Sequence, residues 1–461
     1  MSATEASALP RALAEIVGAG HVLVGDAARP YETDATAYRG LRGVPDAVAL
    51  PATGEELATV VAWCHERGVP MVPRGGGSGL AGGAVPVGGG VVIGTERLTA
   101  VREVVPEEWR MTVEAGVTTA HVQRLALENG LLFPPDPGAA EQSHIGGNVA
   151  TNAGGPHAFK YGATGAWVSG IEVVLADGEP ATFGGTLRKD VGGYDLKSLL
   201  VGSEGTLGVI TAVTLRLLPA PEATFPVVAF YADARAGTEA IGAVLGNGLQ
   251  PAALDYLDGT TLGFVAGACP VAIPVGAGFV LMAEVDGAAD EARRQRDELV
   301  AVLADGALAV AEPRPADVWR WRDGVSGTVA TERGGKASED IVVPWSRLDE
   351  AIVAIRAIGA AHGLEACSWG HAGDGNIHAS FLIDPRSPDE LATAATAARE
   401  LFALAVDLGG AVTGEHGVGY LKAGQLERQW NPGAIRAHEA IKTALDPKGL
   451  LNPGKKVARA S

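Results

Sequence analysis

The chain has 461 residues, which is too long for one ordinary hydrophobic core, so we expect two or more domains. Its residues are 47% hydrophobic and 20% charged, a composition typical of soluble globular proteins. The formal net charge of −18 argues against a nucleic-acid partner, because nucleic-acid binding requires a basic face.

The cysteine content and the apolar runs indicate a cytoplasmic protein. Cys64, Cys269 and Cys367 are far apart and odd in number, so they predict neither a disulfide framework nor an iron–sulfur ligand set. Residues 1–10 lack the basic segment and apolar core of a signal peptide, and the apolar runs are too short to span a bilayer. We therefore expect a reducing, cytoplasmic location, with membrane association only through a partner.

The first half of the sequence alternates helix and strand signals. Thr53 and Glu56 form a capping box that opens a helix, and Gly68 ends it. A second helix is predicted over residues 118–129, where Gly130 follows. Short apolar runs predict strands at residues 69–72, 91–93, 110–114, 131–133, 168–175 and 209–217.

A Pro-Ala-Pro segment at residues 219–221 marks a domain boundary, after which the pattern changes. The following strands are predicted at residues 225–231, 254–257, 279–285 and 341–343 and on both sides of Asp374. Helices are predicted at residues 234–245, 288–303, 346–362 and 388–408, with a last helix and a Pro/Gly-punctuated tail within residues 434–453. This order predicts an α+β domain in which helices cover one face of an antiparallel sheet.

Three loops at residues 73–83, 145–155 and 202–208 hold many of the 64 glycines, interleaved with Ser, Thr and Asn. The first loop matches the G-x-G-x-x-G string, but Pro86 and the glycines before it disfavour a following helix, so we reject a Rossmann unit. Backbone N–H groups in such loops can bind a diphosphate without lysine side chains, which suits an acidic protein. Tight turns in a β-rich domain are the alternative explanation.

Histidines and a carboxylate near the C-terminus predict a metal site. His371 and His378 flank a turn at Asp374, which would fold the chain back and bring both imidazoles together. Glu415 would supply the third ligand, and this nitrogen and oxygen set suits Zn²⁺, Mn²⁺ or Fe²⁺. His416 is then left to move a proton. The alternative is a set of turn and core histidines with a buried glutamate partner.

A carboxylate substrate would also need a cation. Arg322 is the best candidate, because arginine forms bidentate bonds to carboxylates, and we expect it on a short helix that includes Trp319. Lys336 is a weaker candidate, since it could equally belong to a solvated cationic edge.

These motifs resemble those of the vanillyl-alcohol-oxidase/p-cresol-methylhydroxylase superfamily of FAD-binding proteins. The resemblance rests on residues 73–79, on Pro-Asp-Pro at residues 135–137, and on the second and third glycine loops. The second half, with its motifs at residues 370–378, 414–417 and 446–455, is similar to the FAD-linked oxidase C-terminal domain. The match spans nearly the whole chain, and it is nearest to the group of glycolate oxidase FAD subunits and D-lactate and D-2-hydroxyglutarate dehydrogenases.

The resemblance implies an α+β fold in two domains. Residues 1–220 would form an FAD-binding domain of the p-cresol-methylhydroxylase type, residues 221–415 a substrate domain with an antiparallel sheet, and residues 416–461 a segment that packs back near the flavin. The FAD would be noncovalent, because Ser78 stands where some relatives carry the histidine that bonds to the flavin.

The candidate site residues fall into two sets. The resemblance supports Arg322, with Ser326 one turn later, in catalysis, beside Lys336 and His416, which the residues themselves indicate. The cofactor-binding residues would be Pro73, Arg74, Gly75, Gly76, Gly77, Ser78, Gly79, Pro135, Asp136, Pro137, Ser143, Gly146, Gly147, Asn148, Thr151, Asn152, Gly154, Gly202, Glu204, Gly205, Gly208, Ile210 and Asn452.

Together these features predict an FAD-dependent, metal-assisted enzyme, with zinc or manganese, that oxidises a small D-2-hydroxy acid such as D-lactate, glycolate or D-2-hydroxyglutarate. The alternatives are an NADPH-dependent reductase of the enolpyruvyl-glucosamine type, a zinc hydrolase, and an electron-transfer or scaffold subunit. The electron acceptor stays open among oxygen, a quinone, a cytochrome, an electron-transfer flavoprotein and an iron–sulfur subunit. A homodimer is compatible with the sequence.

Overall fold

The computed structural model describes residues 3–457, which form two compact units. The first unit contains the described residues up to Ala153, Ala163–Pro219 and those from Glu415 onward. The second unit contains Gly154–Gly162 and Ala220–Gly414. The excursion of Gly154–Gly162 into the second unit has no counterpart in the domain division predicted from the sequence.

The regular elements alternate along the described chain. The helices are α1 (Ala3–Val17), α2 (Gly54–Arg67), α3 (Thr119–Glu128), α4 (Ile145–Thr151), α5 (Ala158–Tyr161), α6 (Leu196–Leu200), α7 (Ala234–Gly246), α8 (Gly259–Val265), α9 (Ala289–Leu303), α10 (Pro315–Thr331), α11 (Leu348–Ala361), α12 (Pro388–Asp407), α13 (Leu426–Gln429) and α14 (Pro432–Leu445). The strands are β1 (Val22–Leu23), β2 (Ala47–Ala49), β3 (Met71–Arg74), β4 (Val91–Gly94), β5 (Val101–Val105), β6 (Arg110–Glu114), β7 (Leu131–Leu132), β8 (Val168–Val174), β9 (Pro180–Gly184), β10 (Val209–Arg216), β11 (Leu218–Pro219), β12 (Ala223–Tyr231), β13 (Ala253–Asp258), β14 (Phe279–Gly287), β15 (Ala309–Ala311), β16 (Gly335–Val342), β17 (Ala366–His371) and β18 (Asn376–Ile383). Within residues 3–457, no helix combines the length and the hydropathy that crossing a bilayer requires.

The first unit contains two larger sheets. One has the order β1-β2-β4-β3, in which β4 pairs in parallel with both β2 and β3. The other has the order β5-β6-β10-β8-β9, and all its pairs are antiparallel. The glycine loop after β3 continues as turns and bends up to β4 instead of opening a helix, so the rejection of a Rossmann unit is confirmed.

Helix α2 shows why the local sequence signals hold in this unit. The Thr53 side chain accepts a hydrogen bond from the Glu56 amide at 3.1 Å, and Gly68 ends the helix in the left-handed conformation. Leu57, Val60, Val61 and Cys64 recur at the spacing of one helix face and are fully buried against the four-stranded sheet.

The second glycine loop differs from its prediction, because it begins with helix α4. The Ile145 and Gly146 amides donate to the carbonyls of Val117 and Ala115 at 2.9 Å, which joins the start of the helix to the end of β6. Ile145 and Val149 lie one turn apart and are both buried. Their burial outweighs the low helix propensity of the two glycines between them.

The second unit is built on a seven-stranded antiparallel sheet with the order β15-β12-β14-β13-β17-β18-β16. Contrary to the prediction, helices cover both faces of this sheet. Phe230 belongs to a core cluster with Trp321 and Val325 of α10, whereas the hydroxyl of its neighbour Tyr231 donates to the Leu303 carbonyl of α9. Successive strand residues point to opposite faces, so α10 and α9 lie on opposite sides of the sheet.

Two elements of the second unit position the candidate site. Strands β17 and β18 form a hairpin whose last pair is His371 with Asn376, as the turn signal at Asp374 predicts. Gly375 in this turn has φ +77°, and a Cβ atom there would lie 1.8 Å from the Val343 carbonyl oxygen, so only glycine fits. The short helix predicted around Trp319 is in fact α10, which has 17 residues.

Two exposed threonines, one at the N-cap of α2 and one within the helix, provide a test of the capping assignment. We expect Thr53→Ala to destabilise the protein by about 1 kcal/mol, because the Glu56 amide loses its side-chain acceptor. Thr59→Ala in the same helix should leave stability unchanged or raise it by a few tenths of a kcal/mol, since alanine has the higher helix propensity. Thermal unfolding followed by circular dichroism compares the two variants, and equal midpoints would contradict the assignment.

Candidate active site

The first unit contains a cleft formed by the loop after β3, by α4 and by the loop before β10. The predicted cofactor-binding residues that line it are Pro73, Arg74, Gly75, Gly76, Gly77, Ser78, Gly79, Ser143, Gly146, Gly147, Asn148, Thr151, Glu204, Gly205, Gly208 and Ile210. The predicted residues outside its lining are Pro135, Asp136, Pro137, Asn152, Gly154, Gly202 and Asn452. His416, predicted as a proton-transfer group, also lines the cleft.

The walls of the cleft consist mostly of glycine and small side chains, which leave room for a bulky polar ligand. A Cβ atom added at Gly147 would meet no protein atom within 4 Å, so the fold itself does not require glycine there. The Arg74 guanidinium is turned to the carbonyl oxygens of Thr33 and Pro30, at 2.7 and 3.3 Å, and therefore fixes the loop. A cleft of this kind fits a diphosphate held by backbone N–H groups.

Sequence reasoning missed two polar residues of this cleft, Thr95 and His144. The Thr95 hydroxyl and His144 Nδ1 lie 3.0 Å apart. Burial lowers the pKa of His144 below its usual value, which favours the neutral imidazole. Because 49 positions separate the two residues, no local pattern in the sequence indicates the pair.

In the second unit, His371 and His378 come together as predicted from the turn between them. Both are buried, and their ring centroids lie 5.3 Å apart in an edge-to-face arrangement. Two adjacent buried imidazoles of this kind can act as metal ligands.

A buried carboxylate that the sequence analysis missed joins this pair to the predicted clamp. Asp255 on β13 is fully buried, and its Oδ1 lies 2.7 Å from His371 Nδ1. Its Oδ2 accepts a hydrogen bond from Arg322 Nε at 2.5 Å. Burial alone would raise the pKa of the Asp255 carboxyl, but His371 and Arg322 outweigh burial and lower it.

The charge on Asp255 determines which nitrogen of His371 can bind a metal. A carboxylate only accepts hydrogen bonds, so His371 Nδ1 carries the proton in this contact. That tautomer leaves Nε2 as the lone-pair atom, which is the arrangement usual for a metal-binding imidazole with a carboxylate behind it.

Lys336 is buried, so the alternative that it belongs to a solvated cationic edge is excluded. Its Nζ donates to Ser326 Oγ at 2.7 Å and lies 4.4 Å from the centre of the Trp369 ring. Burial lowers the pKa of Lys336 to about 8. Lys336 and Ser326 are therefore brought together, although one is on a strand and the other is on α10.

The last residues of the second unit, Thr413 and Gly414, are hydrogen-bonded to strand β16, which pairs with the strand that contains His378. Asp340 on β16 is the direct cross-strand partner of His378. Its Oδ2 accepts hydrogen bonds from the Thr413 hydroxyl at 2.7 Å and from the Gly414 amide at 2.8 Å. Glu415 follows Gly414 in the chain and begins the last segment of the first unit, where its Oε1 lies 3.7 Å from His416 Nε2.

Comparisons with known proteins define the class of this chain. Residues 45–184 match the family model for an FAD binding domain, and residues 220–456 match the model for FAD linked oxidases, C-terminal domain. The chain therefore belongs to the FAD-linked oxidase family and is an FAD-dependent oxidoreductase. This membership excludes the zinc hydrolase alternative. A hydrolase would also leave the glycine-lined cleft unexplained.

Two curated relatives align with this chain over nearly the full length of both proteins. The glycolate oxidase subunit GlcD of Bacillus subtilis is 37% identical over 93% of this chain and 92% of that protein. The D-lactate dehydrogenase of Anaerostipes hadrus is 33% identical over 94% of both proteins. The crystal structure of p-cresol methylhydroxylase with substrate bound has the same fold, with a TM-score of 0.81 and 18% identity over 99% of this chain and 97% of that one.

The open space at Gly147 provides a test of the cofactor cleft. We expect Gly147→Val to lower the FAD content of the purified protein at least about tenfold, because a branched side chain would enter the cleft. Gly263→Val is the matched control, since Gly263 is an exposed position of α8 that also has no atom within 4 Å of an added Cβ. Absorbance at flavin wavelengths measures occupancy, and full FAD content in Gly147→Val would contradict the assignment.

Proposed function

We propose that the enzyme oxidises the alcohol carbon of a small D-2-hydroxy acid to the 2-oxo acid, with help from a divalent cation. The observation that carries the proposal is the buried contact series from Arg322 through Asp255 to His371, which joins a carboxylate-binding cation to a metal-binding imidazole. The names of the relatives support it, because glycolate and D-lactate are both 2-hydroxy acids.

Arg322 is proposed to bind the substrate carboxylate. A guanidinium has five N–H donors in a fixed plane, and in Arg322 the Nε–H is given to Asp255. This bond fixes the orientation of the plane, so the terminal nitrogens can receive a carboxylate in bidentate geometry. Lys336, next to Ser326, adds a second positive charge from a neighbouring strand.

His371, His378 and Glu415 are proposed to hold the cation, with Zn²⁺ or Mn²⁺ as the preferred ions for this donor set. The fit rests on the close imidazole pair, on the tautomer that Asp255 imposes on His371, and on the anchoring of Gly414 to Asp340 just before Glu415. When bound, such a cation polarises the substrate hydroxyl as a Lewis acid.

His416 is proposed as the base that accepts the hydroxyl proton. It lines the cofactor cleft, where its imidazole is mostly shielded from solvent. Bound FAD supplies the two-electron acceptor for the hydrogen that leaves the alcohol carbon. The electron acceptor that follows is proposed to be a separate partner or oxygen, because the described cysteines are three separate free thiols.

Anaerobic titration with a panel of D- and L-2-hydroxy acids tests the function. We expect a D-2-hydroxy acid to bleach the flavin absorbance of the parent, and metal analysis of the same sample to show about one divalent ion per chain. His416→Ala should keep its FAD but lose rapid bleaching by at least about 100-fold, because the proton has no acceptor.

His121→Ala is the matched control, since His121 lies on α3 outside the cleft lining, and it should bleach like the parent. Reduction of the flavin by NADPH instead of by any 2-hydroxy acid would favour the reductase alternative and contradict the proposal. Unchanged bleaching in His416→Ala would remove the role assigned to that histidine.

The lowered pKa of Lys336 predicts a pH dependence of anion binding. Lys336 is charged below its pKa of about 8 and neutral above it, so affinity for an anion should fall as pH rises. If binding requires the charge, the Kd of the 2-oxo acid product should rise about tenfold between pH 7 and pH 9.

Lys336→Arg should flatten this profile, since a guanidinium stays charged throughout the range. Binding of the product is the suitable measurement, because it needs no proton transfer to His416. The same profile in the parent and in Lys336→Arg would show that another group is responsible.

A further inference from the structure

The carboxylate of Glu204 holds the segment that follows His416. Glu204 lies in the third glycine loop, is buried, and has a left-handed backbone with φ 54°. Its Oε1 accepts a hydrogen bond from the Val418 amide at 3.0 Å, and its Oε2 accepts one from the Gly419 amide at 2.6 Å. A buried carboxylate that receives two consecutive amides fixes the position of that peptide.

The two glycines of this segment make the contact sterically feasible. Gly417 has φ +80°, and a Cβ atom there would lie 3.0 Å from Glu204 Oε1. Gly419 has φ +50°, and a Cβ atom there would lie 2.1 Å from the Ala81 carbonyl oxygen. Only glycine allows both the backbone conformation and the close approach.

The same segment is anchored on its other side by the first glycine loop. The amides of Tyr420 and Leu421 both donate to the Ala81 carbonyl, at 2.9 and 3.1 Å. Ala81 and Glu204 both line the cofactor cleft together with His416. Two residues of the cleft walls therefore hold four amides of this segment, those of Val418, Gly419, Tyr420 and Leu421.

The C-terminal tail completes the surroundings of Glu204. Lys456 Nζ lies 3.1 Å from Glu204 Oε1, and the Lys456 amide donates to the Gly419 carbonyl at 2.9 Å. Asn452 Nδ2 donates to the Glu204 carbonyl at 2.8 Å. The predicted cofactor-binding residues Glu204 and Asn452 thus contact each other and hold protein segments in place.

We propose that Glu204 is the positioning residue that fixes the imidazole of His416 for proton transfer. The inference rests on the proposed function of His416, and it assigns the Glu204 side chain a role other than cofactor binding. Only Gly417 separates His416 from the first anchored amide, so release of Val418 and Gly419 would free the imidazole to shift. A misplacement of about 1 Å in a reacting group can cost on the order of 100-fold in rate.

Glu204→Gln tests this role in the FAD-loaded enzyme, because it keeps the shape of the side chain but places an NH2 group against an amide donor. We expect the rate of flavin reduction at saturating 2-hydroxy acid to fall about 100-fold, with product Kd and FAD content unchanged. Hydrogen exchange of the peptide covering residues 416–421 should become faster, since its amides lose their buried acceptor.

Glu172→Gln is the matched control, because Glu172 lies on β8 of the same unit, outside the cleft lining, and pairs with Arg102 at 2.7 Å. It should leave the reduction rate and the exchange of residues 416–421 at parent values. Glu204→Asp keeps the charge with a shorter reach, and it should recover part of the rate that Glu204→Gln loses.

Three other outcomes are decisive. An unchanged reduction rate in Glu204→Gln would overturn the inference while leaving the proposed function intact. A rate loss that merely follows FAD loss would also overturn it, since Glu204 would then act in cofactor retention. If no 2-hydroxy acid reduces the parent, the proposed function fails, and the exchange result alone decides whether Glu204 holds the His416 segment.

Discussion

The candidate site of the second unit is organised around one buried carboxylate. Asp255 is fully buried, and its carboxylate contacts both the Arg322 guanidinium and the His371 imidazole. Removing one partner of a buried ion pair typically costs about 3–5 kcal/mol, because the other charge is left uncompensated. These contacts restrict the orientation of both partner side chains, which in the proposed function receive a carboxylate and a metal ion.

The two units offer different chemical groups for the binding of an anion. The cleft of the first unit offers backbone amides and small side chains, and its one arginine is occupied by carbonyl oxygens. The second unit offers two buried cations, Arg322 on helix α10 and Lys336 on strand β16, and two imidazoles on β17 and β18. Because Arg74, Arg322 and Lys336 are buried, an acidic chain with a net charge of −18 can offer positive groups to an anion without a basic surface.

Much of the fold follows from local sequence signals, and its exceptions have identifiable causes. Helix α2 and the hairpin around Asp374 were predictable because caps, glycines and apolar spacing agree over short distances. Helix α4 was not predictable, since its glycines favour a loop and only the burial of Ile145 and Val149 reveals the helix. The covering of both sheet faces could not be predicted either, because strand burial on the second face depends on tertiary packing.

In the candidate site, too, some features follow from the local sequence and others depend on tertiary packing. The convergence of His371 and His378 follows from a four-residue turn at residues 372–375, so a local signal in the sequence predicts it. Asp255 lies 116 positions from His371, and its role exists only because β13 pairs with β17. The sequence left open whether Lys336 is buried or solvated, because its burial depends on the sheet and on the helix packed against it.

We propose that His371, oriented by Asp255, and His378 bind a divalent cation at the site of alcohol oxidation. X-ray absorption at the metal K-edge of the purified FAD-loaded enzyme is the decisive measurement. We expect about one ion per chain with two imidazole nitrogens among its ligands, the loss of one nitrogen in His378→Ala, and an altered ligand shell when the 2-oxo acid is added. An enzyme that reduces its flavin with a 2-hydroxy acid but holds no stoichiometric metal, or a nitrogen shell that is unchanged in both His371→Ala and His378→Ala, would contradict it.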